Sequence, residues 1–379
     1  MRIRQAFHSF LAAIAFAFAI YPVYAQSSGV PLAQRLSIYK QDVREPAFKK
    51  VGAGISVRAG VEFDFAGQTL VIAADTPITL PTLTAGTDYR IAVKADNSFQ
   101  AYTYSDSLPD GAAVVGGFHY LPGGYPTSLG QAGDWTATLL EWSIWDLNLR
   151  PSCADPRGMT RIGHSGVWID IYFQGNSSIA DGVSRNNDTI LTGGNPPVIP
   201  ADFGGNGTAR YTTMNWWEAN EHLRQWGKRM PTYAEMSVAA FGTNEKAGRG
   251  AHPVKTGLNT ANWGTSSDPN FTSKFGLIQA TGVLWIWTAD LSDWQGTPTT
   301  NTWGWQAYDV TGGRGKAILQ NDADLTSLLF GASWVYQITT SPTGVAGVAG
   351  SRSVETIETL WDNSENIAMR GACNSYIRY

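Results

Sequence analysis

Residues 227–242 read Gly-Lys-Arg-Met-Pro-Thr-Tyr-Ala-Glu-Met-Ser-Val-Ala-Ala-Phe-Gly. The Thr232 hydroxyl can accept a hydrogen bond from a free amide of the first helical turn, and Glu235 can reach back to the Thr232 amide. Met236 and Ala239 would then share one apolar face, and the closing glycine would end the helix. The stretch therefore predicts a short helix with sharp ends and one buried face.

A second capping box lies directly upstream, where residues 215–218 read Asn-Trp-Trp-Glu. The Asn215 side chain can accept hydrogen bonds from the free amides of the first helical turn, and the Glu218 carboxylate can accept one from the Asn215 amide. Leu223 falls on the apolar face one turn later, whereas His222 falls on the opposite side and is predicted to be a surface residue. These two segments are the convincing helices of the sequence.

The region before them has a different pattern, because residues 51–148 alternate apolar and polar side chains in short runs separated by Gly, Pro, Asp and Asn. Such runs at a spacing of 8–15 residues predict an antiparallel β-sandwich, and the clearest are 54–58, 61–65, 69–73 and 89–93. Residues 26–50 are predicted to form a weakly helical lead-in segment.

The region after the helices is rich in Gly, Asn, Thr and Trp and has few strand-length runs, such as 282–288. Long ordered loops inside a compact domain are usually functional. Trp285, Trp287, Trp334 and Trp361 are predicted to anchor these loops through buried area. The predicted fold class is therefore α+β, with the β-sandwich followed by a domain of two helices and long loops over residues 149–379.

The first 25 residues have the layout of a secretory signal. Arg2 and Arg4 precede an apolar run over residues 10–20, and Val23-Tyr-Ala25 offers small residues at a cleavage site. The alternative is a buried N-terminal helix. The run is short for a membrane span. We expect a chain that is exported to the periplasm, cell surface or exterior and is cleaved near Ala25.

Composition limits the partners and the cysteine chemistry. With 27 basic and 31 acidic residues the net charge is −4, so no basic field is available for nucleic acid. The low charged fraction of 15%, with 41 Gly and 15 Trp, suits an extracellular loop-rich protein. Cys153 and Cys373 either form a disulfide or remain as buried free thiols.

Several segments resemble a known family. Residues 227–242 resemble the helix-entry motif of the formylglycine-generating-enzyme branch of C-type-lectin-like domains, and residues 281–288 resemble its Gly-x-Val-Trp-Glu-Trp strand. The closing landmarks of that branch resemble residues 330–334, 350–352 and 370–373. Residues 77–89, 115–120 and 155–159 are similar to a phage receptor-binding member of the variable proteins of diversity-generating retroelements. The resemblance spans about residues 42–379.

Membership of that family would imply a fixed C-type-lectin-like scaffold on which selected side chains are diversified over about residues 330–373. It would also imply a protein or cell-surface receptor as ligand, no cofactor, and a possible homotrimer. The family's variable, ligand-binding positions fall here on Ser333, Val335, Tyr336, Gln337, Glu355, Ile357, Glu358, Asp362, Ser364, Asn366 and Ile367. The alternative is that the apolar members are core residues and the acidic ones a solvated rim.

The Cys and His residues of the sequence do not match the metal chemistry of the enzymes with this fold. The enzyme branch resembled here oxidises a Cys with copper held by two thiolates, whereas Cys373 has no second Cys near it in the sequence. The five His show no spacing for an iron site. No catalytic, metal or cofactor residue is therefore predicted. The alternatives kept open are a formylglycine-generating-type oxidase, a phage tail receptor-binding protein and a surface protein without a ligand.

Overall fold

The computed structural model describes residues 36–129, 131–258, 268–293, 306–309, 315–319, 325–335, 348–356 and 358–378. Over these residues the chain is mostly β with two α-helices. The predicted signal at 1–25 lies outside the described residues. The coarse prediction of strands first, then two helices and a loop-rich remainder agrees with this order of elements.

Twelve described strands precede residue 152. They are β1 Ser37–Tyr39, β2 Phe48–Val51, β3 Gly54–Val57, β4 Glu62–Phe65, β5 Gln68–Val71, β6 Thr76–Pro77, β7 Thr87–Val93, β8 Phe99–Thr103, β9 Ala113–Leu121, β10 Thr138–Leu139, β11 Trp145–Asp146 and β12 Leu149–Pro151. The four runs singled out in the sequence correspond to β3, β4, β5 and β7.

The rest of the described chain adds two helices and shorter strands. The helices are α1 Trp216–Arg224 and α2 Tyr233–Ala239. The strands are β13 Met159–Arg161, β14 Val167–Asp170, β15 Trp285–Ile286, β16 Leu291–Asp293, β17 Gln306–Asp309, β18 Lys316–Leu319, β19 Leu325–Ser327, β20 Leu329–Phe330, β21 Val354–Glu355, β22 Ile367–Ala368 and β23 Ala372–Ile377. The remainder is loop, with short 3-10 turns.

The lead-in segment is not helical where it is described, so that prediction is wrong. Residues 37–39 and 48–51 are β1 and β2, and Ile38 and Phe48 are buried in the first hydrophobic core. β1 pairs antiparallel with β4, and β2 with β3. Alternate residues of β1 face the core, a period of two that its short length hid in the sequence.

The first core draws its buried residues from positions 38–144 and lies between two three-stranded sheets, β1-β4-β5 and β2-β3-β6, and the β8-β7-β9 end of a larger sheet. That larger sheet continues through β11, β12, β23, β14 and β13. The C-terminal strand β23 thus lies between β12 and β14. Main-chain hydrogen bonds therefore join the two predicted domains.

Both predicted capping boxes are confirmed. The Asn215 side chain accepts from the amides of Trp217 and Glu218, and Glu218 accepts from the Asn215 amide at 2.7 Å. The Thr232 hydroxyl accepts from the Glu235 amide at 3.1 Å, and Glu235 accepts from the Thr232 amide at 2.8 Å. Each box satisfies amides that would otherwise lack partners at the helix start.

The position of His222 corrects the sequence analysis. Its side chain is fully buried rather than on the surface, with Nε2 at 3.4 Å from Gln174 Oε1 and from Ser178 Oγ. Burial lowers the pKa of His222 to about 3, so the ring is neutral. Periodicity identified the more apolar face of α1, but a second segment of the chain covers the other face as well.

A buried ion pair connects α1 to the large sheet. Lys228 Nζ donates to Asp170 Oδ1 at 2.6 Å and to the Gly182 carbonyl at 2.6 Å. The Gly371 amide donates to Asp170 Oδ2 at 2.5 Å. The neighbouring Arg370 donates to the carbonyls of Asp170 and Ile171. These bonds hold the residues before β23 against the end of β14.

The two cysteines are neighbours across this sheet. β12 pairs with β23 so that Pro151 lies opposite Ser375, and the Ser152 amide donates to the Asn374 carbonyl at 2.9 Å. The same register places Cys153 opposite Cys373, and both sulfurs contact Met159 Sδ, at 3.4 and 3.9 Å. Both thiols are free and buried. Cys373 therefore has no second Cys near it in the sequence but has one beside it in the folded chain, so the prediction of a lone thiol is wrong.

We expect oxidative refolding to join Cys153 to Cys373. Directly opposite residues of antiparallel strands lie within the Cα separation that a disulfide requires. A hydrogen bond from the Cys153 thiol and the charge of Lys228 lower the pKa of Cys373 to about 7, which favours the reactive thiolate. Protein refolded with oxidised glutathione should lose both alkylatable thiols and gain about 2–4 kcal/mol in its free energy of unfolding.

The control is Cys153→Ser, whose stability should not respond to oxidised glutathione. Two thiols that remain alkylatable in the refolded wild-type chain would contradict this prediction.

Candidate functional site

Three stretches contain the predicted ligand-binding positions, namely 333–337, 355–358 and 362–367. Tyr336, Gln337 and Ile357 lie outside the described residues. The other eight positions are described.

Three of the predicted positions do not face solvent in the described chain. Ser333 is 1% exposed, Glu355 2% and Ile367 1%. Glu355 lies in β21, which pairs with β20, and Ile367 lies in β22, which pairs with β15. The expected outward orientation is wrong for these side chains. The sheet that carries Glu355 and Ile367 is packed against other parts of the chain, and Ser333 forms an isolated bridge with the buried Val283.

Trp334 joins two of the stretches. Its indole Nε1 donates to Asn366 Oδ1 at 2.9 Å, and its amide donates to the Val283 carbonyl at 2.9 Å. The ring packs against a buried core cluster and meets His252 edge-on. Val335, the next residue, is half-buried against a neighbouring cluster. Trp334 is therefore an anchor, as the sequence predicted, and residues 333–335 and 366 are brought together.

Residues 358–366 form a loop, called the recognition loop here, whose main chain is held from outside. The Trp216 amide donates to the Leu360 carbonyl at 3.2 Å, and the Trp285 amide donates to the Asn366 carbonyl at 2.9 Å. The Gly193 amide donates to the Ser364 carbonyl at 3.3 Å. These three bonds use the loop's carbonyls, so they do not depend on which side chains the loop carries.

Gly193 is required by the closeness of this contact. A Cβ atom at that position would lie 1.8 Å from the Asn363 carbonyl oxygen. No side chain can occupy that space without moving the recognition loop. The backbone of residues 192–194 therefore acts as a support for the loop.

Exposed and half-buried side chains alternate along the loop, but the predicted positions are the half-buried ones. Trp361, Asn363 and Glu365 are exposed, Trp361 to 61%, whereas the predicted positions Asp362, Ser364 and Asn366 are half-buried. The prediction of Trp361 as a buried anchor is wrong. The sequence signal for its exposure was available, since this Trp stands beside Asp, Asn, Ser and Glu without another apolar residue until Ile367.

Two carboxyl groups of the predicted set, Glu358 and Asp362, lie close together near the start of the loop. Burial, a hydrogen bond with Asp362 and the charge of Asp362 raise the pKa of Glu358 to about 7. Asp362 Oδ2 also accepts from the Thr359 amide at 2.5 Å. Burial and the charge of Glu358 raise the pKa of Glu355 as well. The charge of this surface therefore changes close to neutral pH.

Within the described ranges no group of three or more His, Cys, Asp or Glu side chains is arranged to hold a metal ion. In the same part of the chain, none of the helices has the length and apolar character needed to cross a bilayer.

The fold and the site together define a mostly β protein that supports an exposed loop through its main chain. A family model described as the second domain of Mtd matches residues 46–146. The tail fiber receptor-binding protein of Bordetella phage BPP-1 is 38% identical over 372 residues, covering 93% of this chain and 89% of its own. Solved structures of the Major Tropism Determinant I1 and M1 variants are also similar, each with a TM-score of 0.77 at 35% identity over 91% of this chain and 87% of theirs.

The chain therefore belongs to the major tropism determinant family. The relatives named above are receptor-binding or tropism-determining proteins by name, and none of these names is that of an enzyme. The family resemblance inferred from the sequence motifs is confirmed.

The recognition loop should tolerate changes at its exposed positions and not at its anchor. Simultaneous replacement of Trp361, Asn363 and Glu365 by Ala should change the free energy of unfolding by less than about 1 kcal/mol, because exposed side chains away from caps and cores contribute little. Asn366→Ala should cost about 1–2 kcal/mol, because it leaves the Trp334 indole N–H without its acceptor. Urea unfolding measures both, and the reverse order of the two effects would show that the loop's own side chains hold it in place.

Glu358→Gln should remove part of the pH dependence of stability. The folded state raises the pKa of Glu358 from its ordinary value of 4.5 to about 7, so folding favours the protonated form. The free energy of unfolding contributed by this group is greatest below pH 4.5 and is lost as the pH rises through about 7. The Gln variant should therefore be the more stable protein at pH 8.

Denaturant unfolding at several pH values tests this, read as the difference between wild type and variant. Taking the difference removes the contribution of His222, which is the same in both proteins. Because the pKa of His222 is lowered, its contribution to stability changes with pH in the direction opposite to that of Glu358. A difference that does not vary with pH would mean that Glu358 titrates as an ordinary exposed carboxyl group.

Proposed function

We propose that this chain is an exported receptor- or ligand-binding protein, the variable protein of a diversity-generating retroelement, with its binding surface on a C-type-lectin-like scaffold over residues 149–379. The observation that carries the proposal is the recognition loop. Its main chain is fixed by amides of Trp216, Gly193 and Trp285, none of which belongs to the loop.

The binding surface that we propose combines two sets of side chains. From the predicted positions it keeps the half-buried Val335, Glu358, Asp362, Ser364 and Asn366, together with Tyr336, Gln337 and Ile357. The exposed Trp361, Asn363 and Glu365 extend it. An exposed Trp supplies a large, rigid contact area at low entropic cost, as in other recognition surfaces. Ser333, Glu355 and Ile367 would act beneath this surface, through packing rather than contact with a ligand.

The ligand that we propose is a protein or receptor on a cell surface, by analogy with the name of the phage relative. A surface of one short loop binds weakly, so several copies in one assembly would multiply the affinity. The family resemblance implies that this assembly is a homotrimer, and we propose that it is displayed outside the cytoplasm after removal of residues 1–25. Light scattering on the purified chain measures the number of subunits.

Diversification has its own signature in the DNA. A reverse-transcriptase gene beside a near-copy of the 3′ end, with adenines at the codons of the proposed positions, would support the retroelement assignment. Gln337, Glu355 and Glu358 do not fit the family's usual template codons, so these three either arise from other codons or mark a copy that no longer diversifies.

The second candidate is an oxidase of the formylglycine-generating type, which the closeness of Cys153 and Cys373 favours. Against it, both thiols lie in a buried cluster with Trp145 and Trp168, and Cys153 and Cys373 are only 3% and 4% exposed. A peptide substrate could not reach them without opening the sheet. Incubation with copper and a thiol-containing peptide separates the two functions, since only the oxidase would form an aldehyde.

The binding proposal is tested by selection from two libraries. Trp361, Asn363 and Glu365 are randomised in one library, and the exposed Ser105, Ser107 and Asp110 are randomised in a matched control library. Each is displayed and selected on immobilised lysozyme as a defined target. We expect binders from the first library that keep the thermal midpoint within about 5 °C of the parent, because replaced surface side chains cost little stability.

Equal enrichment from the control library would show that the recognition loop has no special capacity for display. Loss of folding throughout the first library would show that its side chains are structural. Either result would contradict the proposed function.

A further inference from the structure

A cavity of about 310 Å³ lies where the first strands of the chain meet the region around β13, away from the recognition loop. Its walls come from residues 45–58 on one side, residues 141–144 on another, and Arg161 and His164 on a third. The proposed binding function uses none of these residues.

The lining carries an excess of positive charge. Lys49, Lys50, Arg58 and Arg161 face two carboxylates, Glu45 and Glu141. Lys49 has a further partner in Asp75 at 2.5 Å, outside the lining. With Asp75 counted, four cations still face three carboxylates, in a chain whose overall charge is −4.

One carboxylate serves three of the basic groups. Glu45 lies 3.3 Å from Arg58, 3.7 Å from Arg161 and 3.2 Å from His164 Nδ1. A single negative charge cannot neutralise two guanidinium groups, and one of them is deeply buried. The Arg161 side chain is 7% exposed, and its Nε has no hydrogen-bond partner.

Lys50 is similarly under-compensated. Its ammonium group has neutral partners, the Thr138 hydroxyl at 3.2 Å and the Tyr125 hydroxyl at 3.4 Å. Burial lowers the pKa of Lys50 against the opposing charge of Glu141. Burial likewise lowers the pKa of Arg161, although the charge of Glu45 and, more weakly, those of Asp146 and Asp42 oppose it. A buried cation whose charged form is disfavoured gains most from an anion placed beside it.

We propose that this cavity binds a small multivalent oxyanion, a phosphate or a compact polycarboxylate, between Lys50, Arg58 and Arg161. Guanidinium groups offer paired N–H donors that match phosphate and carboxylate oxygens, and Lys50 adds a point charge. The Trp142 indole, whose Nε1 has no hydrogen-bond partner, borders the same space and excludes water from one side. The bound anion would link the β2–β3 hairpin to β13 and so stabilise the junction between the two halves of the chain.

The experiment uses the full chain and titrates inorganic phosphate, citrate and chloride at constant ionic strength by calorimetry, with the thermal midpoint as a second readout. Phosphate or citrate should bind saturably at one site per chain and raise the midpoint, whereas chloride should do neither. Tighter phosphate binding would identify a phosphoryl ligand, and tighter citrate binding a carboxylate ligand.

Lys50→Gln and Arg58→Gln should each weaken the binding about tenfold, since a hydrogen bond to a charged group contributes that much. Arg224→Gln, an equal change of charge on the exposed surface of α1, should leave it unchanged within about twofold. Two lining variants are used so that the test still stands if one of them fails to fold. Absence of saturable binding, or an equal loss in Arg224→Gln, would overturn the proposal.

Discussion

The architecture depends on one buried carboxylate, Asp170 at the end of β14. It accepts from the ammonium group of Lys228 after α1 and from the Gly371 amide before β23. A buried charge without partners would cost several kcal/mol, so each of these groups needs the others in place. The last strand can therefore dock between β12 and β14 only when the segment after α1 has packed, which couples the C-terminus to the centre of the fold.

This coupling explains how the scaffold and the displayed surface can be separate. The core strands β15, β20, β21 and β22 and the helix α1 are fixed by burial and main-chain pairing. The recognition loop is attached to them by its carbonyl groups and by the Trp334–Asn366 bond. Its exposed side chains take no part in that attachment, so they are free to vary without a large change in stability.

Two sites in the chain have an imbalance of charge, and the imbalance has opposite signs in the two. Around Glu45 the basic groups outnumber the acidic ones in a partly enclosed space, whereas the carboxyl groups of Glu358 and Asp362 lie close together and the pKa of Glu358 is raised. Both arrangements are electrostatically unfavourable in the isolated chain. Such sites are often functional, because a ligand of opposite charge relieves the cost. The two sites would respond to different ligands.

The sequence by itself determined the helices, the order of elements and the family. Capping boxes at Asn215 and Thr232 are local chemistry, and strand alternation is readable when one face is buried. Tertiary structure alone decided which of the proposed positions face water, the burial of His222, and the closeness of the free thiols of Cys153 and Cys373. These features depend on contacts between segments up to 220 positions apart. The periodicity of a single segment does not indicate which other segment packs over each of its faces.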